Sequence, residues 1–543
     1  SRPKRPFLGD STGEYLPLTK ESMMNPLERL LPRSLNALLT GLVLLSSQAL
    51  AETKTITLLQ TTDIHGQFVP GALTEGSGDW LRLATLITRE RGSAGKENVL
   101  LIDCGDTCQG SWVTAHSRGE IAAQMLVALK YDVWVPGNHD LDFGVARCRE
   151  LCRTVGQATL CGNLTLTTNG TTDSWPAWRQ FTRNGVRVAV IGATASYLDQ
   201  WLWGKAMAGF QVTRAEAMLE ALLPKVLASR PDMIVLALHQ GWLEKDPRQV
   251  NEIPAITNRF PEIDLILGGH THRPMSGRRI GARTWYVQAG EKGKQLGVIK
   301  ATVDTEKHAV LQLESHLIDV TPDVPPYAAT GDIVERLVAT AATDESAQIG
   351  TLGAPLSSSG TPGETCQASE LLCMAIAAKT KAQVVLHGRL SKGTLDAGPI
   401  RNQDLFMLVP YENAVGIAEL DTVALTTILE EQARNRKSYV YNGPWGIVVR
   451  VDHRGKVTAL EWPDGRAVAP GTKLRVALNS YTIAGGGGRF PELRRILAEL
   501  SPSVQDTGLM TRQILKEYVA TRDGLKIESR RWLFRQRKPR SRK

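Results

Sequence analysis

The sequence predicts a layered α/β protein with a second, smaller α+β domain. Three observations carry this prediction: a length of 543 residues with 42% hydrophobic residues, an alternation of short apolar runs with amphipathic segments, and a proline-rich break near residue 321. A chain of this length and composition can bury two or three cores, which excludes disorder and small disulfide-stabilised scaffolds. Strand-like runs that alternate with helical periodicity are typical of sheets covered by helices.

Residues 23–51 have the pattern of a secretory signal peptide. Two arginines precede an apolar run from Leu35 to Leu45, and Ala49-Leu50-Ala51 forms a small-x-small cleavage pattern. The apolar run is too short to span a bilayer core of about 30 Å. We expect residues 1–22 to lie upstream of the translation start. The mature protein should begin near Glu52, without an integral membrane segment, in the periplasm or outside the cell.

Residues 52–320 form the first predicted domain, in which β-rich runs alternate with amphipathic helices. We predict strands over Thr55–Gln60, Asn98–Ile102, Asp132–Val135, Val186–Ile191, Met233–Leu238, Ile263–Leu267, Tyr286–Gln288, Val298–Val303 and Val310–Leu317. We predict helices over Trp80–Arg91, Ile121–Lys130, Val145–Thr154 and Arg214–Ala228, the last one capped by Thr213.

Residues 321–349 are predicted to be a linker and an interdomain helix. The run from Thr321 to Pro326 breaks the preceding pattern, and a helix is expected from Asp332 to Thr343. The second domain covers 350–525. We predict its helices over Ala368–Lys379 and Thr422–Arg434, and its strands over Ile447–Val451 and Lys473–Leu478. Residues 526–543 are expected to be a solvated basic tail.

The charge distribution argues against a nucleic-acid polymer as partner. The formal net charge is +9, but 526–543 carries an excess of eight positive charges and 1–51 an excess of two, which leaves −1 on the residues between them. Nucleic-acid binding draws its energy largely from Lys and Arg contacts to phosphates. We therefore expect a small-molecule partner rather than a nucleic-acid polymer. We also expect the protein to be a monomer.

The seven cysteines permit disulfides in an exported protein, but an odd number leaves at least one thiol unpaired. Cys148 and Cys152 lie four residues apart on a predicted helix, which brings them near each other without establishing a bond. The connectivity cannot be deduced from the sequence. No CxxC pair occurs, so a zinc ribbon is not indicated.

Five loops carry Asp, Asn and His side chains at the points where predicted strands end. Their polar residues are Asp63 and His65, Asp106, Asn138 with His139 and Asp142, His239, and His270 with His272. Ligands gather at the carboxyl ends of strands in α/β sheets. These side chains suit Mn²⁺, Zn²⁺ or Fe. Each loop alone is compatible with turn chemistry or a core histidine, but their joint occurrence predicts a metal site.

The order Asp-x-His, Gly-Asp, Gly-Asn-His-Asp, His, Gly-His-x-His resembles the signature of the calcineurin-like metallophosphoesterases. The runs 61–66 and 102–110 and the second domain are similar to the secreted 5′-nucleotidase, UDP-sugar hydrolase and 2′,3′-cyclic phosphodiesterase family. The resemblance extends to about Leu525. It implies a four-layer α/β/β/α metallophosphoesterase sandwich over 52–320, joined by a helix to a 5′-nucleotidase-type substrate-binding domain over 350–525.

The resemblance also implies two divalent metal ions, drawn from Mn, Zn, Mg, Co or Fe. One ion would be held by Asp63, His65 and His272, the other by Asn138, His239 and His270, with Asp106 as the bridge. Two such ions can share a hydroxide that attacks the phosphorus atom and can clamp the phosphoryl oxygens. His139, oriented by Asp142, would stabilise charge on the transferring group and assist the leaving oxygen.

The second domain departs from this family where phosphate and ribose are bound. Lys392 takes the place of the arginine with which relatives contact phosphate, and Arg389 is the second candidate. Tyr481 lies in a loop that resembles the one whose aromatic residue stacks a base, with Trp445 as the opposing aromatic. Ordinary core packing of this pair is the alternative. Gly487 stands where relatives use an Asp on the ribose.

The first hypothesis is therefore an exported two-metal phosphoesterase that hydrolyses nucleotides or related small phosphate esters. Two alternatives remain open. One is a sulfur-oxidation hydrolase with the same metal site, which releases sulfate from a carrier protein. The other is a non-catalytic binding protein on this scaffold, which is disfavoured because all candidate ligands and His139 are present.

Overall fold

The computed structural model describes residues 53–67, 78–204, 208–246, 251–330, 332–501 and 503–536. The chain from Thr53 onward forms one compact unit. The signal peptide predicted over 23–51 and the segment 1–22 lie outside the described residues. Among the helices that are described, none is both long and apolar enough to cross a membrane.

Two sheets pack face to face in the first domain. The first strand shows why: Leu58 points into the core between the sheets, whereas its neighbour Leu59 points into the core beneath the helices. Successive residues of a strand face opposite sides, so an apolar run becomes buried on both faces. The first sheet contains, in order, Ala309–Asp319, Gln295–Asp304, Thr53–Thr61, Val99–Asp103 and Val133–Trp134.

The second sheet supplies the other inner layer. It contains, in order, Met275–Ile280, Thr284–Gln288, Leu265–Leu267, Met233–Leu238, Val186–Ala193 and Trp178–Arg183. Helices Trp80–Ala94, Trp112–His116, Glu120–Ala128 and Val145–Val155 belong to the first sheet's outer side, and Ala215–Ala228 and Ile253–Arg259 to the second sheet's. The predicted four-layer sandwich is therefore confirmed.

The predicted elements of this domain are present with bounds shifted by a few residues. Shorter polar strands were not predicted: Leu164–Thr168, Thr171–Ser174 and Phe210–Val212, which form a separate small sheet, and Trp178–Arg183 and Met275–Ile280. The cap assigned to Thr213 is wrong. The helix begins at Ala215, whose N–H donates to Ser196 Oγ at 2.9 Å and to Glu252 Oε2 at 3.1 Å.

The second domain is built on a five-stranded mixed sheet. An interdomain helix, Asp332–Glu345, leads into it. The sheet contains, in order, Gly443–Trp445, Val384–His387, Leu474–Asn479, Ala414–Leu420 and Gln505–Met510. Helices occupy Gln367–Thr380, Asn402–Leu408, Thr422–Arg434, Ser480–Ile483, Pro491–Glu499 and Thr511–Ala520. Smaller sheets pair Gln348–Leu352 with Gly398–Arg401, Leu356–Ser357 with Thr394–Leu395, and Val448–Val451 with Val457–Glu461.

The prediction of a solvated basic tail over 526–543 is wrong for its described part, 526–536. Leu533–Arg535 forms a strand parallel to Val448–Val451. Trp532 is buried, and its indole N–H donates to Glu370 Oε2 at 3.0 Å. Apolar residues between the charges hold this segment against the second domain, although the arginines around them remain exposed.

All seven cysteines lie within the described residues, and each is a buried, unbridged thiol. Cys148 and Cys152 face the core beneath the first sheet's helices. Burial raises the pKa of the Cys161 thiol to about 12, and it raises that of Cys152 well above its ordinary value. The cysteines thus act as small apolar core residues in this structure.

Candidate active site

The two sheets bring their carboxyl-end loops to one edge of the sandwich. Asp63 and His65 follow the first strand, and Asp106 follows the neighbouring parallel strand Val99–Asp103. From the facing sheet, His239 follows Met233–Leu238, and His270 follows the adjacent parallel strand Leu265–Leu267. Parallel pairing within each sheet and packing between the sheets make the loops converge.

The predicted ligands form two groups that share one carboxylate. Donor atoms within each group lie within 4.8 Å of one another; the first group is Asp63, His65, Asp106 and His272, and the second is Asp106, His239 and His270. Asn138 joins the second group, because its Oδ1 lies 3.2 Å from His239 Nε2. The structure therefore brings all seven residues to one place, where they form the same two groups that the sequence analysis assigned to the two ions.

The backbone at this cluster adopts a conformation that side-chain-bearing residues rarely take. Positive φ values occur at Asp63 (49°), His65 (50°), Asp106 (54°), His270 (69°) and His272 (57°). Strain of this kind clusters at functional sites, where surrounding structure holds it in place.

The close approach of the loops requires a glycine. A Cβ on Gly137 would lie 2.3 Å from Asp106 Oδ1 and 2.8 Å from the His239 ring. No larger residue fits there without displacing the carboxylate shared by the two groups. Lack of space for a side chain thus explains why the Gly-Asn-His motif begins with glycine.

Three imidazoles are oriented through the nitrogen that faces away from the cluster. His65 Nδ1 lies 2.8 Å from the carbonyl oxygen of Gln109, and His239 Nδ1 lies 2.6 Å from that of Cys104. His272 Nδ1 lies 3.0 Å from Glu291 Oε2. Each contact turns Nε2 inward, the arrangement that metal-ligating histidines use.

The pKa values of these histidines move in two directions. Burial lowers the pKa of His65 to about 4 and that of His270 to about 3, so both rings are neutral at pH 7 and offer a lone pair. Burial opposes protonation of His239 and His272 as well, but neighbouring carboxylates raise their pKa values to about 9 and about 10. Cation binding at this cluster therefore requires loss of protons from the latter two rings.

Asp140, to which the sequence analysis gave no role, ties the loops together. Its buried carboxylate accepts hydrogen bonds from the backbone N–H groups of Asp106 (3.0 Å), Thr107 (3.0 Å), Cys108 (2.7 Å) and Gly137 (2.7 Å). Burial raises its pKa to about 6 against the effect of these donors. Its place in the Asn-His-Asp motif was the available signal.

His139 lies beside the cluster and is held by the partner that was predicted. Its Nδ1 is 2.8 Å from Asp142 Oδ2, and its backbone N–H donates to Asp106 Oδ1 at 2.7 Å. Burial alone would lower its pKa, but the Asp142 and Asp106 carboxylates raise the pKa to about 9. The ring is thus a cation at neutral pH and can donate from Nε2.

The cluster opens into a cavity of about 1110 Å³ between the two domains. Asp106, Asn138, His139, His270 and His272 line its floor. The second domain places Tyr411 over them, with its ring 5.0 Å from that of His139 and 6.0 Å from that of His65. The cavity size suits a drug-sized or nucleotide-sized ligand.

The structure brings two of the four predicted substrate residues to this cavity. Arg389 and Tyr481 line it. Lys392 is exposed outside the lining, and Trp445 packs against Trp532 at 5.5 Å between ring centroids. The predicted Trp445–Tyr481 sandwich is therefore wrong, and for Trp445 the core-packing alternative is correct.

Several aromatic lining residues were not predicted. Trp201, Trp203 and Tyr439 join Tyr411 and Tyr481 in the cavity wall. Trp201 stands edge-on to His270, with ring centroids 4.6 Å apart. The signal for Tyr411 was present in its Pro-x-x-Asn context, whereas the two tryptophans reach the site through a loop without a recognisable motif.

Comparison with known families and proteins agrees with this geometry. Residues 56–274 match the calcineurin-like phosphoesterase family model, and residues 339–495 match the model of the 5′-nucleotidase C-terminal domain. The chain is 22% identical to the silent protein UshA(0) of Salmonella typhimurium, over 87% of this chain and 92% of that protein.

Solved structures share the whole two-domain fold. A 5′-nucleotidase precursor from Thermus thermophilus superposes with a TM-score of 0.67 at 19% identity, covering 90% of this chain and all of that one. The sulfate thiohydrolase SoxB from the same organism gives 0.61 at 19% identity, covering 89% and 95%. At this identity the likeness shows the fold alone and does not distinguish the two substrates.

Proposed function

Because the chain belongs to the calcineurin-like metallophosphoesterases that carry a 5′-nucleotidase C-terminal domain, we propose that it is an exported two-metal hydrolase of nucleotides. One observation carries the proposal: the cluster of candidate metal ligands forms the floor of a cavity whose upper wall is aromatic. A phosphate on the floor and a base against the wall together match a nucleotide.

The residues present fit two divalent cations. Oxygen and imidazole donors without thiolate suit Mn²⁺, Zn²⁺ or Fe, and Mg²⁺ and Co²⁺ remain candidates. Asp63, His65 and His272 would hold one ion, and Asn138, His239 and His270 the other, with Asp106 shared. When bound, the ions supply Lewis-acid chemistry at the phosphoryl oxygens and lower the pKa of water.

His139 acts on the substrate as a hydrogen-bond donor. Its Nδ1–H donates to Asp142, which leaves Nε2–H to donate to a phosphoryl oxygen or to the leaving oxygen. The same proton can be transferred as the ester bond breaks. Asp142 keeps the ring charged and fixes its orientation.

Two tyrosines of the second domain support nucleotide selectivity. Tyr411 and Tyr481 both line the cavity, and each can place a flat apolar ring against a base. The backbone of Tyr481 is fixed by a hydrogen bond from its N–H to Asn413 Oδ1 at 3.3 Å. Arg389 adds a positive charge to the same wall.

A substrate panel tests the proposal. AMP, 2′,3′-cyclic AMP, UDP-glucose and bis(p-nitrophenyl) phosphate are offered with Mn²⁺ added, and at least one nucleotide should be hydrolysed. Tyr481→Ala should raise KM for that nucleotide about tenfold while leaving KM for bis(p-nitrophenyl) phosphate near the wild-type value. Tyr518→Ala, outside the cavity lining, is the matched control. No turnover of any ester would refute the function, and turnover of the generic ester alone would leave the thiohydrolase alternative.

Export is the second part of the proposal. The arginines, apolar run and Ala49-Leu50-Ala51 pattern of 23–51 support a cleaved signal peptide. Sequencing the N-terminus of exported protein should give Glu52 within a residue or two. A mature product that retains Met24 would contradict it.

A further inference from the structure

Arg489 projects a guanidinium into the cavity from the second domain's glycine-rich loop. Its Nη1 donates to Tyr481 Oη at 3.2 Å and to the carbonyl oxygen of Gly486 at 2.9 Å. Its Nη2 donates to Tyr439 Oη at 3.2 Å, and the group lies 5.2 Å from the centre of that ring. Two aromatic side chains and one carbonyl thus hold the charge in place.

The fork of this arginine retains donors for a ligand. A guanidinium has five N–H donors, and the bonds within the described part of the chain engage three of them. The remaining donors are on Nε and Nη2, neighbouring atoms through which arginine binds carboxylates and phosphates.

The positive charge of Arg489 is not neutralised by an ion pair among the described residues. Acidic residues on nearby segments pair with other arginines: Asp199 with Arg494 at 2.5 Å and Glu492 with Arg495 at 3.1 Å. Both Arg489 and Tyr439 line the cavity. A charge fixed at a cavity wall without a carboxylate partner favours binding of an anion.

Gly487 and Trp201 lie between the Arg489 guanidinium and the metal cluster. A Cβ on Gly487 would lie 3.0 Å from Arg489 Nη1 and 2.7 Å from Trp201 Nε1. The Trp201 ring in turn touches that of His270. The guanidinium is therefore about one indole ring away from a candidate metal ligand.

We propose that Arg489 forms a second anion subsite, so that the enzyme prefers phosphate esters that carry a further anionic group beside the scissile phosphate. This inference rests on the proposed function and narrows its substrate class. A nucleoside 3′,5′-bisphosphate has the required chemistry, because it carries a 3′-phosphate in addition to the 5′-phosphate that would lie at the metal cluster. A free ribose hydroxyl would gain less from this wall, because it carries no charge.

Inhibition constants measure this preference whether or not the ligands are turned over. AMP and adenosine 3′,5′-bisphosphate are compared as inhibitors of bis(p-nitrophenyl) phosphate hydrolysis by the full chain. The bisphosphate should bind wild type about tenfold more tightly, a difference of about 1.4 kcal/mol. Arg489→Gln should bring the ratio of the two constants close to one. Arg489→Lys should give an intermediate ratio, because lysine keeps the charge without the fork.

Arg495→Gln is the control, since within the described residues the ion pairs of this exposed arginine are with Glu492 and Glu499 of its own helix. Equal binding of both ligands by wild type would overturn the subsite, and so would an unchanged ratio of the two inhibition constants in Arg489→Gln. In either case, hydrolysis of AMP would still support the proposed function. If neither nucleotide inhibits an active enzyme, the nucleotide proposal fails with it. If the generic ester is not hydrolysed, calorimetric titration of both ligands replaces inhibition.

Discussion

Replacement of Glu291 by glutamine should weaken one candidate metal site and spare the other. Glu291 Oε2 lies 3.0 Å from His272 Nδ1, and Oε1 lies 3.0 Å from Lys294 Nζ. His272 Nε2 consequently faces Asp63 Oδ1 at 3.3 Å, within the first ligand group. An amide keeps one acceptor for the imidazole but removes the charge that makes the ring a better donor to a cation.

The expected size of this effect follows from the surroundings of Glu291. Loss of a partner behind a ligating residue costs about 10–100-fold in metal affinity. The Glu291 side chain is 24% exposed and shares its charge with Lys294, and both features weaken its influence on His272. We therefore expect the lower end of the range, about tenfold or 1.4 kcal/mol. Glu291→Ala should exceed this, because it also removes the acceptor.

Calorimetric titration of the metal-free full chain with Mn²⁺ measures both sites at once. One of two dissociation constants should rise in Glu291→Gln, and the other should stay near the wild-type value. Glu306→Gln, which changes an exposed glutamate of the same domain, is the matched control. Equal weakening of both sites, or wild-type binding by Glu291→Ala, would refute the role assigned to Glu291.

Four further substitutions separate metal binding, catalysis, stability and nucleotide binding. Asp106→Ala should abolish metal binding and activity together, whereas His139→Ala should keep metal content in elemental analysis and lower kcat by about 10²–10⁴-fold; equal metal loss in both would contradict this. Trp445→Ala should lower the free energy of unfolding by about 3 kcal/mol in denaturant titration and leave nucleotide KM unchanged. Gly487→Asp should weaken rather than improve nucleotide binding, because its Cβ would lie 2.7 Å from Trp201 Nε1; a lower KM would show that the wall yields.

The metal cluster could be predicted because its geometry is encoded locally. Each candidate ligand follows directly after an apolar strand, and parallel strands in one sheet place those ends along one edge. The pairing of His239 with Asn138, and of His65 with His272, needed only the order of motifs and the family resemblance. The roles of Asp140 and Glu291, which hold the metal cluster in place, could not be assigned in the same way. Asp140 acts on backbone N–H groups and Glu291 on an imidazole, and only the fold brings these partners near.

The substrate wall was predicted less well because its members come from distant segments. Lys392 and Arg389 lie three residues apart, and only the fold decides that Arg389 lines the cavity. Trp445 was assigned to the site from its position in the chain, but its indole N–H donates to Glu370 at 2.8 Å in the core. Trp532, in the segment expected to be solvated, donates to the same carboxylate. Aromatic side chains are seldom left in water when a core face is available.

The two domains contribute different parts of the candidate active site, namely the metal ligands and the substrate wall. All seven candidate ligands and His139 are carried by the backbone of the first domain. The substrate wall depends on both, because the loop that carries Trp201 is held from the second domain: Gly487 N–H donates to the Gln200 carbonyl oxygen at 2.9 Å, and Arg494 pairs with Asp199. A change in these contacts would move the wall relative to a fixed metal cluster. Substrate preference can therefore diverge within this fold while the metal site is retained.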